Sequence, residues 1–222
     1  DAMVGVENGF LGFYHNLAGQ GFTNIAASAF STPVTSAYPI YPGDYNNDGW
    51  LDLGVFSMNS ASSTASSLFR NYGNCSFTLD DVGGPTSVVG GWHVLGDYNN
   101  DGFLDIFVGF GPNTRNLLFR HNGNTNHWLK VKLDGRASNR SGIGAKVRIN
   151  ATIGGTNFWQ MRETSGAGIG MDHGLIAHFG LGDATNVTTL RIEWPSGIVQ
   201  ELPNVAANQF LTQHEPWKTI KH

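Results

Sequence analysis

The sequence predicts an all-β protein, and three observations carry that prediction. Apolar residues come in short runs broken by Gly, Asn and Pro, and no segment shows a helical period. The ten-residue string GDYNNDGWLD at 43–52 returns as GDYNNDGFLD at 96–105, each copy leading into a short apolar run. From about Asn126 onward, apolar and polar residues alternate with period two, as half-buried strands do.

Each copy of the string opens a longer repeat. LGVFS, a Ser-rich link (NSASSTASS) and LFRNYGNCSF follow the first; IFVGF, GPNTRN and LLFRHNGN follow the second. Both units read as an acidic turn, an apolar strand, a loop, a second strand ending in Phe-Arg and an Asn-Gly turn. A degenerate third copy opens the chain: DAMVGV (1–6) aligns with DLGVFS (52–57), and FYHNLAGQGF (13–22) with LFRNYGNCSF (68–77). On that alignment Asp1 matches the last acid of the string, so the chain is expected to begin in mid-repeat. The strands WLKVKLDG, AKVRINATIGG, FWQMRET, LIAHFGLG, TTLRIEWPSG and IVQELPNV follow in order. The expected organisation is repeats over 1–125 (the first partial), a separate β-domain over 126–213 and a peripheral tail over 214–222.

Counted from its first acid, the string places Asp44, Asn46, Asp48, Trp50 (through its backbone carbonyl) and Asp52 at positions 1, 3, 5, 7 and 9. The second copy places Asp97, Asn99, Asp101, Phe103 and Asp105 identically. Such all-oxygen sets suit calcium, which takes about six to eight oxygens at about 2.3–2.6 Å in flexible geometry. Gly49 and Gly102 follow the third donor, where the chain must turn sharply. Magnesium prefers fewer protein ligands, and zinc would want His or Cys, which the string lacks. An EF-hand would need Glu at position 12, where Val55 and Val108 stand, and helices where the flanks read as strands. A bare Asn-Asp-Gly turn gives no reason for acids at positions 1 and 9 in both copies. Two Ca2+ sites are therefore expected.

Composition narrows the partners. Charged residues make up 14% of the 222, the net charge is -4, and glycine occurs 30 times. There is no basic footprint for nucleic acid and no apolar run long enough for a membrane span. So weakly charged a surface suggests cover by glycans or neighbouring subunits. Sequons at Asn74, Asn139, Asn150 and Asn186 permit glycosylation but are no more frequent than chance would produce. The lone Cys75 excludes an internal disulfide framework, leaving a buried thiol or an intermolecular link.

Beyond the composition, the two strings and their following strands resemble FG-GAP/VCBS repeats, the blade units of integrin-type β-propellers. That resemblance covers roughly residues 1–125 and implies four-stranded blades with calcium held in a hairpin loop. NHWLKVKLDGRASNRSGIGAKVRI, QMRETSGAG, HFGLGDA and LRIEWPSGIVQEL resemble the ASPIC/UnbV domain, which follows such repeats in the cartilage acidic protein family. This second resemblance implies an extracellular, calcium-linked protein with a β-sandwich-like C-terminal domain. A propeller ring usually takes at least four blades, and two repeats and a fragment would leave strand edges open. A larger parent protein, a compact non-propeller stack and completion by another subunit would each resolve this. Completion repeated head to tail would make a filament.

Other constellations are weaker. GAGIGMDHG (166–174) and SGIGAK (141–146) lack the spacing and following helix of a phosphate loop and read as strand bends. Asp172, His173 and His178 match no metal or nucleophile motif, so structural roles are expected. Arg162 and Glu163 read as an ion pair or a strand-face contact rather than as catalytic groups. Trp92, Trp128, Trp159 and Trp194 are expected mostly in the core by alternation, although an exposed pair could stack on sugar rings. The expected function is a secreted, non-catalytic, calcium-binding structural or adhesive protein. Its expected partners are copies of itself, with glycans or other extracellular proteins besides. A carbohydrate-binding module, or a fragment of a larger glycan-processing protein, is the alternative.

Overall fold

The computed structural model describes residues 2–5, 11–17, 20–25, 30, 40–55, 67–74, 76–80, 92–110, 115–166 and 174–217. Cys75, Asp1, residues 59–66 of the Ser-rich link and residues 167–173 of the Gly-rich GAGIGMDHG stretch, with Asp172 and His173, lie outside them, as does the side chain of Trp92. Every regular element among them is a strand, as the sequence predicts. No described helix is long and apolar enough to cross a membrane. The chain divides into two compact units. One comprises 1–43, 50–96 and 105–121; the other comprises 44–49, 97–104 and 122–222.

The first unit contains three antiparallel sheets whose strands follow one another in chain order. They are β1 (Ala2–Gly5), β2 (Leu11–Asn16) and β3 (Phe22–Asn24); β4 (Ile40–Gly43), β5 (Asp52–Val55), β6 (Ser67–Asn71) and β7 (Phe77–Asp80); and β8 (Trp92–Gly96), β9 (Asp105–Gly109) and β10 (Leu117–Phe119). Short loops and alternating side chains favour such meanders over crossovers. The repeat is physical: β1, β5 and β9 are the DAMVGV, DLGVFS and DIFVGF segments, each pairing antiparallel with the strand that follows it. Leu53, Val55, Phe69 and Phe77 bury with Phe13 and Phe30. Phe13 meets Phe77 edge-on at 5.4 Å and Phe30 stacks on Phe77 at 5.1 Å, aromatic geometries that add to area burial. In the third sheet Ile106 and Val108 are buried, while the cross-strand row Val94–Phe107–Leu118 is exposed.

The second unit has two further sheets. One orders β14 (Ile176–Gly182), β11 (His127–Asp134) and β17 (Gln209–His214); the other orders β13 (Thr156–Glu163), β12 (Lys146–Ile153), β15 (Asn186–Glu193) and β16 (Val199–Ala206). All pairs are antiparallel except β11 with β17, which runs parallel. Period-two alternation supplies the core: Leu129, Val131 and Leu133 from β11, Val147, Ile149 and Ala151 from β12, Ala177, Phe179 and Leu181 from β14, and Val187, Leu190 and Ile192 with Trp194.

Two expectations fail here. The alternation of β13 is inverted: Gln160 and Arg162 pair with the buried Ile149 and Val147, whereas Trp159 and Met161 stand 51% and 42% exposed. Arg162 and the exposed Glu163 therefore point to opposite faces, and no ion pair joins them among the described residues. The tail is not uniformly peripheral either, because Glu215 is fully buried. Its Oε2 accepts the consecutive N–H groups of Arg136, Ala137 and Ser138 at 2.7–2.8 Å. Its Oε1 accepts the Ser138 and Ser196 hydroxyls. Burial alone would raise the Glu215 carboxyl, but these donors outweigh it and hold it down to about 2.

A candidate metal site in the paired loops

The two copies of the repeated string take the same backbone conformation. Asn47 and Asn100 lie at φ 59° and 60°, and Gly49 and Gly102 at 96° and 90°. Asn tolerates this left-handed region through its short polar side chain, and Gly has no Cβ to clash. The hydrogen bonds repeat as well. Asp48 N donates to Asp44 Oδ1 and Asn46 Oδ1, as Asp101 N does to Asp97 Oδ1 and Asn99 Oδ1. Gly49 N and Gly102 N reach the second oxygens of Asp44 and Asp97, both at 2.9 Å. The first acid of each string is thereby held in one rotamer by two backbone donors.

The last acids of the strings open strands of the first unit. Asp52 and Asp105 are buried at the starts of β5 and β9, where their Oδ1 atoms accept Asn71 N and His121 N at 2.8 Å. Trp50 and Phe103 hold position 7, Trp50 packing against Gly73 and Phe103 lying near Gly123.

Within the second unit, loops 44–49 and 97–104 rest on the outward face of β14 and β11. HFGLG (178–182) alternates Phe179 and Leu181 into the core, which turns His178, Gly180 and Gly182 toward the loops. Gly182 N donates to Asn47 O at 2.7 Å. A Cβ at Gly180 would overlap Asp44 Oδ2 and sit 2.5 Å from Asn47 Cα, so only glycine lets the loop backbone approach. His178 Nε2 lies 3.1 Å from Gly102 O, and burial drives its imidazole down to about 4. Its imidazole is therefore neutral where strand meets loop. Trp128 covers Gly102, where any Cβ would overlap the indole. Loop joins loop through Asn47 Nδ2, which donates to Gly102 O at 2.9 Å, and Asn124 and Asn126 both donate to Asn46 O.

The inverted face of β13 now has a purpose. Gln160 Nε2 donates to Gly180 O at 2.8 Å, and the Arg162 guanidinium lies 5.0 Å over the Phe179 ring. Burial lowers Arg162 to about 10, with the Asp44 carboxylate opposing that shift. Asp44 itself, 1% exposed, is pushed up to about 7 by burial and then by the neighbouring Asp48 carboxylate, which outweigh the pull of Arg162 and its backbone donors. The second loop is neutralised differently. Lys130 Nζ lies 2.8 Å from Asp97 Oδ2 and 2.9 Å from Asn100 Oδ1, with the two ion-paired side chains 4% and 2% exposed.

Residues 135–219 match the ASPIC and UnbV family model. The matched segment carries the Glu215 nest, Gln160, Arg162 and the HFGLG strand. A comparison of the chain with curated proteins gave no match.

The donor types present fit calcium: oxygens only, mixing carboxylate, amide and carbonyl, with Asp44 a buried acid that lacks an ion-pair partner among the described residues. Among those residues no three His, Cys, Asp or Glu side chains form a metal-holding group by themselves; the proposed sets also draw on Asn and backbone oxygens. Sequence reading missed Lys130, Gln160, Arg162 and Gly180 as loop partners, because each stands at the polar parity of its strand, where nothing in the pattern marks a partner. Of the sequons, Asn74 and Asn186 are exposed, Asn139 is bonded to Ile143 through both amide atoms, and the half-buried Asn150 bonds reciprocally with Asn157.

Proposed function

We propose that this is a secreted, non-catalytic, calcium-binding structural or adhesive β-protein that assembles with copies of itself, its first unit built from FG-GAP/VCBS-type repeats. The observation that carries the calcium reading is the identity of the two loops in backbone dihedrals and in acid-to-backbone bonding. A turn with no ligand needs neither a buried acid at position 1 nor a second one at position 9. Asp44, Asn46, Asp48, Asp52 and the Trp50 carbonyl would hold one ion; Asp97, Asn99, Asp101, Asp105 and the Phe103 carbonyl would hold the other. A bound Ca2+ would supply the positive charge that offsets these carboxylates. Self-association draws support from the exposed row Val94–Phe107–Leu118, an apolar stripe across a three-stranded sheet.

Thermal melts with calcium chloride and with chelator test the first part. Calcium should raise the midpoint of the parent chain, and Asp48→Ala or Asp101→Ala should shrink that rise without lowering the midpoint in chelator. Equal loss in both conditions would make the loops ordinary turns. Sedimentation of the parent and of Phe107→Ser tests the second part, and a parent that stays monomeric at high concentration refutes it. A carbohydrate-binding module is the second reading, favoured by exposed Trp159 directly across from Asn150 on the sheet surface. A glycan array on the parent and on Trp159→Ala would test it, with no Trp159-dependent signal counting against it.

A further inference from the structure

The two strings are nearly identical in sequence but not in electrostatic surroundings. Asp97 and Asn100 share the Lys130 ammonium, which projects from the outward face of β11 and lies 5.4 Å over the Phe210 ring. In the other loop the same two positions are Asp44 and Asn47. Asp44 feels the buried Arg162 guanidinium but has no ammonium or guanidinium at ion-pair distance among the described residues, where the fully buried Asn47 Oδ1 likewise has no hydrogen-bond partner. One loop thus contains an acid and an amide oxygen to which no cation is directly bonded among the described residues; its twin has the corresponding oxygens already bonded to a resident ammonium. A unit charge a few ångströms from a divalent ion opposes its binding, and burial of the lysine leaves little water to screen the repulsion.

We infer that the loops are unequal calcium sites: loop 44–52 binds the ion tightly, and Lys130 weakens loop 96–105 by acting as its built-in counter-ion. This rests on the calcium reading above and adds to it a regulator of affinity from outside both strings. Lys130 is a positioning residue, since it acts through Asp97 and Asn100.

Calorimetric titration of calcium chloride into four full-length proteins tests it: the parent, Asp101→Ala (first loop only), Asp48→Ala (second loop only) and Asp48→Ala with Lys130→Met. The first-loop protein should bind at least about ten-fold more tightly than the second-loop protein. Lys130→Met should tighten the second loop by about ten-fold or more. Equal affinities, or a tighter second loop, would overturn the inference, as would a Lys130→Met protein that binds no better than its Lys130 counterpart. If Lys130→Met fails to fold by circular dichroism, the two single-loop proteins, which keep Lys130, decide the matter alone. Absence of any binding heat in the parent would instead sink the calcium reading and the inference with it, a result distinct from two equal sites.

Discussion

Replacing Glu215 by Gln tests the second unit at its most concentrated polar contact. The carboxylate accepts three consecutive backbone N–H groups on one oxygen and two hydroxyls on the other. An amide keeps one acceptor oxygen and turns its NH2 group toward donors, leaving either three backbone N–H groups or two hydroxyls unmet. Hydrogen bonds to a charged group contribute about 1.5–3 kcal/mol each, and an unmet buried donor costs about 1–3 kcal/mol. Relaxation recovers part of this, so a net loss of about 3 kcal/mol is expected, and about 4 kcal/mol for Glu215→Ala. For a chain of this length that lowers Tm by about 6–12 °C. The folded carboxyl is held below its ordinary 4.5, at about 2. Its stabilisation is therefore complete above pH 4.5 and disappears as pH falls toward 2. Urea unfolding followed by tryptophan fluorescence, repeated from pH 7 to 3, should show the gap between parent and variant narrowing below pH 4.5. Exposed Glu163→Gln serves as a control with no expected shift. A Glu215→Gln protein that melts within a degree of the parent, or a gap indifferent to pH, would refute the reasoning.

Three further outcomes follow from the seat of the loops. Gly180→Ala forces a Cβ into Asp44 and the Asn47 backbone; a loss of about 3 kcal/mol is expected by denaturant melts, together with a smaller calcium-induced rise in Tm. His178, held neutral down to about 4 against an ordinary 6.5, contributes about 3 kcal/mol that is present above pH 6.5 and is lost as pH falls from there toward 4. Its ring proton signals should therefore titrate below pH 5 by NMR, and a midpoint near 6.5 would contradict its burial. Trp159→Ala should change stability by less than about 0.5 kcal/mol, because the indole is exposed, whereas Trp194→Ala, 3% exposed, should lose about 3–5 kcal/mol.

How much of this was legible depended on which physical signal each residue carried. Leu129, Val131 and Leu133, or Val147, Ile149 and Ala151, announce their faces because apolar burial sets their period. The sharp turn of the repeated string was legible because its acids bond backbone groups only four or five residues away. β13 misled because periodicity reports hydrophobicity and not burial: Gln160 and Arg162 face inward to serve Gly180 and Asp44, so Trp159 and Met161 are turned to solvent. Lys130 looked like an ordinary solvent-side lysine, like the exposed Lys132, until loop 97–104 covered it. The Glu215 nest joins residues nearly eighty positions apart through backbone donors, which leave no compositional trace.

The parallel pairing of β17 with β11, clipped by Glu215, has a consequence for synthesis. During translation β11 emerges before both of its partners, and once β14 has been made its other flank still waits for β17. Loop 44–49 waits longer still, until Gly180 and Gly182 are made. The second unit therefore cannot close progressively behind the ribosome; the open edge of β11 and the nest around Arg136 stay unpartnered until β17 and Glu215 emerge. A nascent chain stalled before that residue would be the form most in need of a chaperone.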